Sequence, residues 1–372
     1  MRVRAVSSAS GTPMELAAGT PEMIRRINAV GLATLGECMQ TVYEDGPKRD
    51  LRLWIGDLYL EALANSYSFK NHDLTKRCLY LLASLADSTG WVSATVYERP
   101  EWKIQGKGTH CMDYSLLYGV ALADYVKYSG DTATGRDLWP VVKRQVEVAR
   151  EALDPAGIYD NELKPSWLVF DWKSDLNRDA SIQGLMTFAV DRSYELARML
   201  GTEKEVSDWP KLTARMKSAA RNAYYDRKSG LVLSGPDKQA SYLSQVWMVL
   251  SGTLSVKEGD HGEPRCLPDR LSVCLSLFYR GVDSVRPRRA GPYRADRLLG
   301  RYGSQRGRYV LGGLRSGRRF QIALRFFPDQ QLLSRMELYA GLSRSFSAVN
   351  KRAVQFDFEA WLAGREKKVV ES

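Results

Sequence analysis

Residues Asp179–Leu200 read DASIQGLMTFAVDRSYELARML. Ile182, Leu185, Met186, Ala189, Leu196, Ala197 and Leu200 fall on one face at helical spacing, and Gly201 follows as a stop, so the spacing predicts a core-facing helix over 179–200. The same grammar recurs at about 21–44, 51–66, 71–88, 112–129, 135–153, 208–224 and 239–250. Between these runs lie turn-rich connectors: SFKNHD, ERPEWKIQGKGTH, DPAGIYDNELKPSW and DRKSGLVLSGPDKQ. Strand signals are few. The expectation is an all-α chain of paired helices, in which the long aromatic and polar connectors line a site.

The 372 residues are 44% hydrophobic, enough for a large core. Five cysteines (Cys38, Cys78, Cys111, Cys266, Cys274) without C-x-x-C spacing and three scattered histidines (His72, His110, His261) argue against a disulfide framework, a zinc site or any other metal or cofactor. There is no run of 18 apolar residues and no compact apolar stretch in MRVRAVSSASGTPMELAAGT, so the chain as written is expected to be cytoplasmic, without a membrane span or export signal. The net charge of +11 resembles that of a nucleic-acid binder, but its distribution does not. Residues 1–259 carry 32 basic and 32 acidic side chains, so the whole excess lies in 260–372. Residues 260–330 hold 15 arginines and no lysine, against 17 arginines and 15 lysines in 1–259. After Lys257 the helical pattern gives way to glycine, arginine and proline, which reads either as a basic, partly disordered tail or as a nucleic-acid arm.

The densest chemistry lies in VYEDGPKRDLRLWIGD (Val42–Asp57). Asp45-Gly46 suits a turn and Pro47 the first turn of a helix running on through Leu51. Asp50 and Asp57, seven residues apart, would then share a face with Trp54. Two carboxylates and an indole, preceded by Asp45 and Arg49, suit a sugar: carboxylates grip hydroxyls, an indole stacks on the ring, and an acid can protonate a leaving oxygen. Spacing alone favours the plainer reading, a capped helix start with Asp–Arg pairs in solvent. His110, Cys111 and Asp113 read as core or pocket lining, with Asp113 near substrate. Trp102 is equally a sugar platform or a loop anchor, and Glu203-Lys204-Glu205 is a solvated helix approach.

The pattern D-G-P-K-R-D-x-x-x-W-x-G-D resembles the hallmark of bacterial α-L-rhamnosidases, glycoside hydrolase family 78. Asp113-Tyr-Ser-Leu-Leu-Tyr118 and Ser166-Trp-Leu-Val-Phe-Asp-Trp172 resemble that family's D-Y-x-L-L-Y helix and W-x-x-F-D-W connector. The resemblance covers about 20–257. It implies an (α/α)6 six-hairpin toroid barrel acting on rhamnose-containing glycosides or polysaccharides by inversion. Asp50 stands in the general-acid position, although the family often has glutamate there or one position later, where this chain has Leu51. Asp45, Arg49 and Asp57 would bind rhamnose hydroxyls, Trp54 would give an apolar wall, and Trp167, Asp171 and Trp172 would line the pocket. Members usually carry β-sandwich domains ahead of the barrel, so 1–19 is expected to be a disordered or residual segment of a chain truncated at its front.

Inversion needs a second carboxylate, which the family supplies as a glutamate in a late W-E motif, and no W-E dipeptide follows residue 257. The expectation is that 258–372 is an out-of-frame, basic, poorly ordered tail that leaves the barrel incomplete. Reverse-translated and read one nucleotide later, YVLGGLRSGRRFQIALRF (309–326) permits T-F-W-E-A-Y-D-P-E-D-D-F-K-S-P-Y-G-F, with the glutamate across the codons of Gly312 and Gly313. Residues 272–285 similarly permit L-Y-A-Y-L-Y-F-I-E-A-L-I-P, an amphipathic helix. On this reading the positive charge is an accident of translation, and the chain is an impaired rhamnosidase or a non-catalytic carbohydrate-binding remnant with no nucleic-acid partner. Nothing in the sequence sets its oligomeric state.

Overall fold

A computed structural model describes residues 7–16, 18–20, 22–46, 51–98, 101–104, 109–170 and 174–255. The expected out-of-frame tail therefore lies outside the described residues, as do Arg49, Asp50, Asp171 and Trp172 among the predicted site residues.

The described residues form eight α-helices that alternate along the chain. α1 (Glu22–Cys38) pairs with α2 (Ile55–Tyr67), and α3 (His72–Ser84) with α4 (Met112–Ser129). α5 (Thr132–Glu151) pairs with α6 (Asp179–Leu200), and α7 (Trp209–Tyr224) precedes α8 (Tyr242–Leu250). Burial sorts them into two layers. α4 is buried at nearly every position from Met112 to Val126, as an inner helix must be. α5 buries only a stripe that includes Leu138, Trp139, Val142, Val146 and Ala149, and turns its other face outward. α2, α4, α6 and α8 each pack against the next, while α3 lies against α2 and α4, α5 against α4 and α6, and α7 against α6. This inner–outer alternation is the all-α six-hairpin architecture that the resemblance implies.

The inner helices approach closely. A Cβ at Gly184, sixth in α6, would stand 2.8 Å from the backbone carbonyl carbon of Trp247, sixth in α8. Gly56, second in α2, instead receives the side chain of Tyr114, third in α4. Gly56 and Tyr114 both lie in a first helical turn, so the N-termini of α2 and α4 lie at one end. Most boundaries follow local chemistry. Asn71, Asp131 and Ser241 accept bonds from backbone N–H groups as N-caps of α3, α5 and α8, and Gly130 and Gly201 end α4 and α6 with φ of 76° and 74°. Residues at the front are tied in as well: Ser8 N–H donates to Met39 O and Asn71 Nδ2 donates to Ser8 O, each over 2.6 Å.

One expectation is overturned. Residues 51–54 are not the start of a helix: Leu51 has φ +52°, and Arg52–Trp54 form strand β1. This strand pairs antiparallel with β2 (Thr95–Tyr97), which pairs with β3 (Lys103–Ile104). Opposite residues Leu53 and Val96 are both fully buried, and Arg52 lays its guanidinium 4.3 Å from the centroid of Tyr97. These cross-strand contacts outweigh the helical propensity of the run. The helix that carries Asp57 therefore begins only at Ile55 and does not run back through Leu51. A second small pairing, β4 (Tyr225–Asp226) with β5 (Leu231–Val232), closes the turn before α8.

Candidate active-site rim

The N-terminal ends of α2 and α4 build the rim. The loop ahead of β1 is held by Tyr43, whose hydroxyl bonds Thr75 and Asn65 at 2.8 Å each, and by Asp45 N–H, which donates to Arg52 O at 2.8 Å. Asp45 itself is only 7% exposed, and Gly46 after it takes φ +65°, a left-handed turn that a side chain would strain. β1 ends at Trp54, the extended N-cap of α2. Asp57 then falls in the first turn of α2, also 7% exposed, where the helix dipole favours a carboxylate.

Tyr114 ties these groups together, and sequence reasoning passed over it. Its ring meets Trp54 edge-on, with centroids 6.2 Å apart and planes at 85°. A Cβ on Gly56 would stand 2.4 Å from Tyr114 Cζ and 2.7 Å from Oη, so the ring lies directly on the first turn of α2. Burial and then the charges of Asp57, Asp113 and Asp45 push its phenol well above the ordinary range. The structure thus packs Trp54 and the first turn of α2, which carries Asp57, against one half-buried tyrosine, with Asp45 in the loop just ahead of β1. A tyrosine at the start of an inner helix was the available signal, but its partner Gly56 is 58 positions away.

Asp113, at the same helix start, is 1% exposed. Its Oδ2 accepts from Val169 N–H at 2.6 Å and its Oδ1 from Tyr114 N–H at 3.0 Å. Burial raises its carboxyl from 3.8 to about 7, against the pull of these bonds and of Arg178. Asp113 thereby fastens the 166–170 connector to α4. Trp167 is placed by the same seam: its N–H donates to His110 O (3.1 Å), its O accepts from Met112 N–H (3.3 Å), and its side chain is 50% exposed. The connector thus holds the Trp167 backbone rigidly while half of the residue faces outward.

The neighbouring residues make contacts within the fold. His110 stacks on Trp91 with centroids 4.5 Å apart, and its Nε2 lies 3.1 Å from Asp87 Oδ2. Cys111 is fully buried and its thiol is pushed up by burial, the opposite of an activated nucleophile. Trp102, 41% exposed, carries the Arg77 guanidinium 5.2 Å from its ring centroid. Glu205 is more engaged than a solvated approach, accepting from Trp139 Nε1 (3.1 Å) and Lys143 Nζ (2.6 Å). Among the described residues no group of three or more His, Cys, Asp or Glu side chains is placed to hold a metal ion, and no helix is long and apolar enough to cross a membrane.

Comparison with known proteins gives a family match. The family model for the bacterial alpha-L-rhamnosidase 6 hairpin glycosidase domain matches residues 20–254. The chain is similar to a rhamnosidase from Klebsiella oxytoca solved with rhamnose bound: 29% identity, TM-score 0.68, covering 91% of this chain and 67% of that one. It shares its fold with the GH78 rhamnosidase of Bacillus sp. GL1, at 16% identity and TM-score 0.70 over 93% of this chain and 37% of that one. The Streptomyces avermitilis alpha-L-rhamnosidase complexed with L-rhamnose also shares the fold, at 14% identity and TM-score 0.56 over 90% and 32% of the two chains. The chain thus spans about two thirds of the first relative and about a third of the other two. No curated protein matches.

Proposed function

The chain belongs to the bacterial α-L-rhamnosidase six-hairpin glycosidase family, and from that premise we propose that its rim binds the terminal α-L-rhamnose of glycosides or polysaccharides. The observation that supports this reading is the packing of the Trp54 indole and of the first turn of α2, which carries the buried Asp57, on Tyr114, with the buried Asp45 in the loop just ahead of β1. Ionised carboxylates accept hydrogen bonds from sugar hydroxyls, and the indole covers an apolar ring edge. Arg49, Trp167, Asp171 and Trp172 complete the pocket. In the family's inverting reaction Asp50 donates its proton to the glycosidic oxygen while a second carboxylate, about 6.5–9.5 Å away, takes a proton from the attacking water.

That second carboxylate belongs to the W-E segment, which the chain as written lacks after residue 257. We therefore read the polypeptide as a rhamnose binder whose turnover is crippled, with 258–372 translated out of frame. The absent W-E also favours a second reading, a non-catalytic carbohydrate-binding remnant. The two differ in residual release of a chromogenic α-L-rhamnoside: slow and dependent on Asp50 in the first, nil in the second. Calorimetric titration with L-rhamnose tests the shared part, with binding expected for the wild type and loss of at least about tenfold in Asp45→Asn and Asp57→Asn. Equal binding by both variants would refute the site. The frame is tested by the nucleotide sequence: stop codons through 270–330 in the neighbouring frame, or no W-E across codons 312 and 313, would sink it.

A further inference from the structure

Asp45 and Asp57 can only accept hydrogen bonds when ionised, whereas each hydroxyl of a sugar both donates and accepts. Beside Arg49, a site that uses these two carboxylates has room for a further donor to the sugar's oxygens. We propose that Tyr114 is that donor, a specificity-determining contact whose phenol O–H binds a substrate oxygen between Asp45 and Asp57. The inference rests on the reading of the rim as a rhamnose site and adds to it a residue from α4.

Three observations carry it. The ring is clamped from two sides: Gly56 lies under it so closely that a Cβ would stand 2.6 Å from Cε1 and 2.7 Å from Oη, and Trp54 meets it edge-on at 6.2 Å. This packing fixes the hydroxyl over the first turn of α2, next to Gly56 and one residue from Asp57. The hydroxyl has no hydrogen-bond partner among the described residues, although Tyr114 is only half-buried and lies in the electrostatic reach of three carboxylates. The hydroxyls of Tyr43 and Tyr118 are used up inside the core, by Thr75 and Asn65 and by Leu79 O, and so are closed to a ligand. A rigidly held phenol whose ionisation is opposed by nearby carboxylates stays protonated and can donate to a ligand oxygen. Glycine at 56 is explained by the same arrangement, since any side chain there would displace the ring.

The test is calorimetric titration of the full chain with L-rhamnose and its monodeoxy analogues. Tyr114→Phe keeps the ring and its packing, so the melting temperature should hold while rhamnose affinity falls about tenfold. One monodeoxy sugar, lacking the oxygen that Tyr114 contacts, should bind wild type and Tyr114→Phe equally. Gly56→Ala should weaken binding as well, by moving the ring. Tyr114→Phe binding like wild type, with Asp57→Asn losing affinity, would overturn the proposal and leave the rhamnose site standing. No binding of rhamnose by the wild type would overturn both.

Discussion

Asp113→Asn separates the two forces acting on the buried carboxyl at the start of α4. Burial raises that carboxyl from 3.8 to about 7, while the N–H groups of Val169 and Tyr114 and the charge of Arg178 favour its ionised form. A group whose folded-state value is raised binds its proton more tightly in the native state. Its contribution to stability is complete below about pH 4 and is lost as pH rises to about 7. At about 1.4 kcal/mol for each tenfold change, the span from 3.8 to about 7 corresponds to roughly 4 kcal/mol. The asparagine keeps an oxygen for Val169 N–H and removes the titration. Urea unfolding of wild type and variant between pH 4 and pH 8 should show the variant gaining on wild type by about 3–4 kcal/mol, with carboxylates common to both cancelling in the difference. A difference independent of pH, or wild type gaining on the variant as pH rises, would show that the N–H bonds win and would refute the balance argued for Asp113.

Asp131 should behave oppositely, since the hydroxyl and N–H of Thr134, then Tyr125 and Lys76, hold its carboxyl well below the usual range. Asp131→Ala removes the α5 cap and should cost about 1–2 kcal/mol at pH 7, an effect that declines below about pH 4, where the unfolded chain takes up the proton that the folded carboxyl still resists. Gly56→Ala should destabilise by about 1–3 kcal/mol in chemical denaturation, because the new methyl would lie 2.4 Å from Tyr114 Cζ. A Gly56→Ala variant as stable as wild type would mean the ring moves aside freely.

Much of the scaffold is legible in the sequence because helix ends are written locally. The predicted 112–129 and 179–200 coincide with α4 and α6, each ended by a glycine in the left-handed region. The stretch 51–54 misleads because its structure is decided from afar: Leu53 is fixed by Val96 and Arg52 by Tyr97, more than 40 residues later. The site shows the same division. The aspartates and tryptophan of the motif are evident as chemistry, and the fold brings Asp45, Trp54 and Asp57 together, but through a strand, a cap and a helix start and not through one helical face. Tyr114 and Gly56 are separately ordinary, one aromatic and one small residue, and acquire meaning only when α2 and α4 pack side by side.

The most direct test of the central claim, a rhamnose half-site separated from its base, is the rate of 4-nitrophenol release from 4-nitrophenyl α-L-rhamnoside by two chains. One is the chain as written, and the other has its codons after about 258 restored to the neighbouring frame. The account predicts that restoration raises the rate by at least about a hundredfold and that Asp50→Asn in the restored chain abolishes the gain. Equal rates from the two chains, or a gain that survives Asp50→Asn, would contradict it.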